Sequence, residues 1–104
     1  MIFLNICQMQ TLNEIKSKLT VLKPMLMAKY PLETLAIFGS YARNEQTADS
    51  DVDVMVEFND KIGIEFLTMS HEIEDYLGIK TDVIKKKYMK PKFFARIENN
   101  LIYV

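Results

Sequence analysis

The chain has 104 residues, 49% of them hydrophobic and 26% charged, with thirteen Lys and Arg against fourteen Asp and Glu for a formal charge of −1. This length supports one core and leaves no room for a second, so residues 1–104 are expected to form a single domain, and the balanced charge excludes the global basic field of general nucleic-acid binders. The lone Cys7 excludes an intramolecular disulfide framework and reads as a buried apolar thiol; MIFLNICQMQ lacks a basic leader and cleavage site, and no run reaches the roughly 20 apolar residues of a membrane span, so a cytoplasmic protein without a membrane role is expected.

Leu12, Ile15, Leu19, Leu22 and Leu26 recur at helical spacing and predict an opening amphipathic helix. Pro24 lies inside the pattern and predicts a kink or a break into two helices. Leu35 to Phe38, ended by Gly39, has the length of a short buried strand. Tyr41 to Glu45 then suits a helical turn capped by the Ser40 hydroxyl, an arrangement that attracts phosphate. After the polar loop Gln46 to Ser50, Asp51 to Phe58 predicts a strand with Asp51, Asp53, Met55 and Glu57 on one face and Val52, Val54, Val56 and Phe58 on the other.

Ile62, Phe66, Met69, Ile73 and Leu77 mark a further helix, stopped by Gly78. Ile79 to Ile84 predicts a third strand, on which Asp82 shares a face with Lys80 and Ile84. Pro91 is placed to start a last helix docked by Phe94 and Ile97, and LIYV can add an edge strand. The order implies an α/β (α+β) fold of three or four strands with helices packed on one face.

Charge is distributed unevenly along this order. Ten acids and one base, Lys61, lie between Asn44 and Leu77, whereas six lysines and one acid, Asp82, lie between Lys80 and Lys92. The first segment suggests a cation site and the second an anion site, set against the plainer reading of solvated faces. Asp51 and Asp53, two apart on a strand, project to the same side and can hold hard divalent cations such as Mg²⁺. With Asp82 on a neighbouring strand they would form a cluster too repulsive to persist without metal or protons. Gly39 permits close backbone approach and Ser40 adds a hydroxyl, which together suit a triphosphate. These parts read as phosphoryl or nucleotidyl transfer.

The stretch GSYARNEQTADSDVD, Gly-Ser followed after ten residues by Asp-x-Asp, resembles the signature of the polymerase-β-like nucleotidyltransferases. Its ARxxxxxxSDxD continuation, KTDVI on the next strand and the LIY ending resemble the minimal nucleotidyltransferases in particular, from about Leu12 onward. The resemblance implies a polymerase-β-like fold with a mixed sheet. It also implies that Asp51 and Asp53 bind two Mg²⁺ ions, that Gly39 and Ser40 hold the triphosphate of ATP, and that Asp82 completes the metal site or takes the acceptor's proton. It further implies an antitoxin that transfers AMP to a tyrosine of a HEPN-domain ribonuclease toxin. Two alternatives stay open: neutralisation of the toxin by binding alone, and a small-molecule or RNA acceptor. Assembly as a homo-oligomer or as a hetero-oligomer with the toxin is equally open.

Asn44 stands where such proteins often carry Gly; Asn accepts left-handed backbone, so the turn should survive. Arg43 has two readings, a phosphate ligand or a loop anchor paired with Glu45 or Asp49. His71 reads as a surface or structural residue. Lys85, Lys86 and Lys87 could steer ATP or simply be solvated, and Tyr41 and Tyr88 read as packing before stacking.

Overall fold

The computed structural model describes residues 10–104; Cys7 and the opening apolar stretch through Met9 lie outside the described residues. Helix α1 (Leu12–Lys29) begins at a capping box. The Thr11 hydroxyl accepts from the Glu14 N–H at 3.1 Å while the Glu14 carboxylate accepts from the Thr11 N–H at 2.8 Å, which satisfies two donors of the exposed helix end. Strand β1 (Leu32–Phe38) leads into the single turn α2 (Gly39–Ala42), and β2 (Val52–Phe58), α3 (Glu65–Leu77) and β3 (Thr81–Lys85) follow. A 3₁₀ turn, Lys86–Tyr88, precedes α4 (Pro91–Ile97), and β4 (Ile102–Tyr103) closes the chain. The strands form one mixed sheet in the order β3-β2-β1-β4, with β1 antiparallel to β2 and β4 and β2 parallel to β3.

The alternation read from β2 decides how the sheet is covered. Val52, Val54 and Val56 join Leu35 and Ile37 of β1 beneath α1 and α3, whose Ile15, Leu19, Leu22, Leu26, Met69, Ile73 and Leu77 are buried against them. Burying side chains of this kind stabilises the fold by roughly 1.5–3 kcal/mol each, enough to fix which face of β2 points inward. Glu72 of α3 accepts from the Tyr30 hydroxyl and the Lys29 ammonium at the end of α1, tying the two helices at their rims. Gly78 ends α3 at φ 72°, the left-handed stop expected of it.

Not every helix lies on that face. Short α4 is the exception: Ile97 packs with Ala36, Phe38 and Met55 on the opposite side of the sheet, and Phe93 meets Phe38 edge-on with ring centroids 5.9 Å apart. Met55, read as a neighbour of the acids, is therefore a buried core residue of this second, smaller cluster. Pro91 opens α4 as expected, where its missing N–H costs nothing.

Pro24 does not divide α1, which runs through it as one helix of 18 residues. Both Pro24 and Thr20, whose carbonyl loses its partner N–H, lie on the exposed side, where water can replace the lost bond, while the buried leucines hold the two halves in line. Pro24→Ala restores that hydrogen bond and relieves the ring contact, so it is expected to raise stability by about 2 kcal/mol in urea unfolding.

Candidate active site

The acids emerge on the sheet face that α4 only partly covers, at the start of β2 and β3 and the end of β1. Asp53 is a register partner of Phe38 on β1 and of Asp82 on β3, so the strand pairing expected for Asp82 is present. Val83 packs toward α1 and α3 and Ile84 toward α4, which sets the Asp82 side chain on the side of Asp53 and Met55. Asp51, just ahead of β2, stands two residues from Asp53 and lies 3.7 Å from the Lys80 ammonium. That pair is exposed, and a contact of this kind contributes little to stability. Lys80 was placed by the sequence on the Asp82 face but not matched with Asp51.

Gly39 faces Asp53 directly. Its φ is +76°, and a Cβ built on it would stand 2.1 Å from the Asp53 Oδ2. The turn therefore brings backbone against carboxylate more closely than any other residue type permits. Buried Tyr41 anchors α2 from beneath, and burial raises its hydroxyl pKa, which suits a core residue and not a stacking platform. Asn44 adopts φ 58°, so the left-handed geometry expected at this position is present.

Ser40 differs from its expected role. The helical turn begins two residues earlier than Tyr41, Phe38 occupies the cap position, and no side chain caps α2. Ser40 thus lies inside the turn, where its carbonyl accepts from the Glu45 N–H at 2.9 Å. Gly39, entering the turn at positive φ, shifts the start upstream and displaces Ser40 from the cap. Arg43 pairs with Glu45 at 3.0 Å, with both side chains exposed, and also lies close enough to Asp53 to favour its charged form.

Asp53 carries the electrostatic cost of this layout. Burial, then the Asp82 and Asp51 carboxylates, push its pKa from 3.8 up to about 6, and Arg43 offsets only part of that. The donor set, three carboxylates on one side of two adjacent strands, suits a hard oxygen-seeking cation, and the strain on Asp53 is of the kind a cation relieves. Among the described residues no group of three His, Cys, Asp or Glu side chains is gathered closely enough to enclose one ion. The acids are neighbours on a common face, and mutual repulsion opposes closer approach.

A trough of about 390 Å³ runs from Asp82 along the edge of β3, bounded by Leu67, Ser70, His71 and Glu74 of α3. His71, read as a bystander, lines it; the signal available in the sequence was the helical spacing of Leu67, Ser70, His71 and Glu74. A tighter cavity of about 140 Å³ between Glu57, Asp60, Lys85 and Lys87 lies at the far end of β2 and includes none of the three acids.

A mixed sheet that sets paired strand carboxylates against a glycine turn defines the class of nucleotidyl-transferring enzymes. Residues 19–104 match the nucleotidyltransferase domain, and the chain belongs to that family. It is 44% identical over 98 residues to MJ0128 of Methanocaldococcus jannaschii, named as a candidate protein adenylyltransferase, covering 92% of this chain and 100% of that protein. It is 33% identical over 97 residues to the protein adenylyltransferase MntA of Thermococcus cleftensis, covering 92% and 98%. Among solved structures, a candidate minimal nucleotidyltransferase superposes with a TM-score of 0.77 at 21% identity, over 89% of this chain and 95% of that one. The Shewanella oneidensis complex of tri-AMPylated HEPN toxin with MNT antitoxin matches at 0.60 and 13% identity, over 86% and 70%. The polymerase-β-like fold is thus that of this chain, and its enzymatic class is adenylyl transfer.

Proposed function

We propose that residues 1–104 form a single Mg²⁺-dependent protein adenylyltransferase domain that moves AMP from ATP to a tyrosine of a HEPN-domain ribonuclease toxin and so acts as its antitoxin. The observation that carries this reading is the contact of Gly39 with Asp53 beside Asp82. It supports the reading because a turn that would accommodate phosphate stands beside carboxylates suited to a hard cation. The names of the 33% identical MntA and of the toxin-antitoxin complex with the same fold support the protein acceptor.

In this proposal Gly39 and Ser40 seat the triphosphate, with Arg43 available to its outer oxygens once released from Glu45. Asp51, Asp53 and Asp82 are the residues that would hold Mg²⁺. When bound, Mg²⁺ neutralises charge on the triphosphate and on departing pyrophosphate. The acceptor oxygen forms a bond to the α-phosphorus as the bond from that phosphorus to the bridging oxygen of the β-phosphate breaks, and pyrophosphate carries away the electron pair. Asp82, exposed at the sheet edge, would take the hydroxyl proton.

The test is incubation of the chain with α-labelled ATP, Mg²⁺ and a HEPN-domain toxin. Label should enter that protein at substoichiometric amounts of the chain, and toxin inactivation should outlast removal of the chain. Asp51→Asn combined with Asp53→Asn should lower the rate by about 1,000-fold or more. Neutralisation that requires one chain per toxin, unaffected by the double substitution, would instead establish masking by binding.

A further inference from the structure

β3 is an open edge of the sheet, and it carries Asp82. The Val52 N–H donates to the Lys80 carbonyl at 3.0 Å, so in this parallel ladder the backbone groups of Lys80, Asp82 and Ile84 turn toward β2, and those of Thr81, Val83 and Lys85 turn outward. The Thr81 N–H is taken by the Glu74 carboxylate at 3.3 Å. Among the described residues, the Val83 and Lys85 amides have no comparable partner. Along this edge the trough that starts at Asp82 continues into a second hollow of about 290 Å³ bounded by Phe66, Val83, Ile84 and Tyr88. Apolar side chains rise beside it: Leu67 is 55% and Tyr88 70% exposed.

We propose that the acceptor protein docks here by adding an extended segment to the free edge of β3, with its hydroxyl-bearing residue opposite Asp82. This rests on the adenylyl-transfer reading and specifies how the acceptor reaches the site. A strand added to an edge lies about 4.8 Å away, and residues directly opposite share a face with Cβ atoms roughly 5 Å apart. A residue opposite Asp82 therefore projects onto the carboxylate face, with Asp82 between it and Asp53. Its neighbour opposite Val83 projects to the other face, into the trough beside Phe66 and Leu67. Main-chain bonds supply affinity and the alternating side chains supply selection.

Charge sets the direction of fit. Glu74 and Asp82 make one end of the trough acidic, and Lys85, held 4.8 Å over the Phe66 ring and 5.5 Å over the Tyr88 ring, makes the other end basic. The complementary segment carries a basic residue near its hydroxyl and an acidic residue toward Lys85. Lys80 and Lys85 at the two ends of the strand oppose pairing of the edge with a second copy of itself.

The test uses the intact chain with a HEPN-domain toxin as probe. Val83→Pro removes an outward amide while leaving the ladder to β2 in place, as edge strands allow. It should raise the KM for that acceptor by about tenfold, with the KM for ATP unchanged. Hydrogen exchange in the unsubstituted complex is the second readout: the Val83 and Lys85 amides should slow by about tenfold or more on adding the partner. An unchanged acceptor KM in a folded Val83→Pro chain, or unprotected Val83 and Lys85 amides in the complex, overturns the proposal. Protection of the same amides in the isolated chain at rising concentration assigns the edge to a second copy and likewise overturns it. If the unsubstituted chain transfers no AMP, the functional reading falls, and the exchange experiment still decides whether this edge is the docking strand.

Discussion

Gly39→Ala is expected to lower AMP transfer by about 100-fold, because the added methyl occupies the space of the Asp53 carboxylate. The built Cβ stands 2.1 Å from Asp53 Oδ2, 3.1 Å from its Cγ and 3.3 Å from its Cβ, so the whole side chain has to give way. A displacement near 1 Å at a positioned catalytic group costs about that factor. The substitution also forces alanine to φ +76°, at roughly 1–2 kcal/mol, lowering Tm by several degrees. Gly78→Ala separates the two effects: Gly78 has φ +72° but no atom within 4 Å of its would-be Cβ. It should lose comparable stability and keep transfer within about twofold in initial-rate assays below the melting range. Equal activity losses in the two variants would show that backbone strain alone, not contact with Asp53, explains the Gly39 effect.

The position of Asp53 was legible in the sequence because valines on alternate residues of β2 leave it only one direction to face. The position of Asp82 was legible for a less local reason. A strand, a helix and a strand joined as β2, α3 and β3 favour parallel pairing on the same sheet, and Asp82 then falls beside Asp53 if the two strands start level. What periodicity could not carry was the side of the sheet that receives α4. Phe93, Phe94 and Ile97 specify an apolar surface without saying which face it meets; the route of the chain through Lys86–Tyr88 decides that. Pro24 and Ser40 failed for the opposite reason. Each residue type has a strong local preference, and each was overruled by its neighbours, Pro24 by buried leucines on the far side of α1 and Ser40 by the positive φ of Gly39.

The proximity of Asp53 to Asp51 and Asp82 should make it a liability to the metal-free fold, and pH reveals the sign. Its pKa is 3.8 ordinarily and about 6 in the folded chain, so between those values the native state holds a proton that the unfolded chain has released. Stability from this group is therefore fully present below about pH 4 and is lost as pH rises through 6. The informative quantity is the difference between Asp53→Asn and the unsubstituted chain, measured by calorimetry in a chelator. Asp53→Asn should melt a few degrees higher at pH 7.5, and the gap should close on acidification toward pH 4. Adding Mg²⁺ at pH 7.5 should raise the Tm of the unsubstituted chain and leave Asp53→Asn nearly unmoved, since the cation offsets repulsion that the amide has already removed. Transfer should fall by about 1,000-fold or more in the same variant. A variant that is both inactive and less stable at pH 7.5 without metal would mean that Asp53 is held by favourable contacts. A gain in metal-free stability coupled to loss of activity instead identifies Asp53 as a group kept at energetic cost for the work it does with its neighbours Asp51 and Asp82.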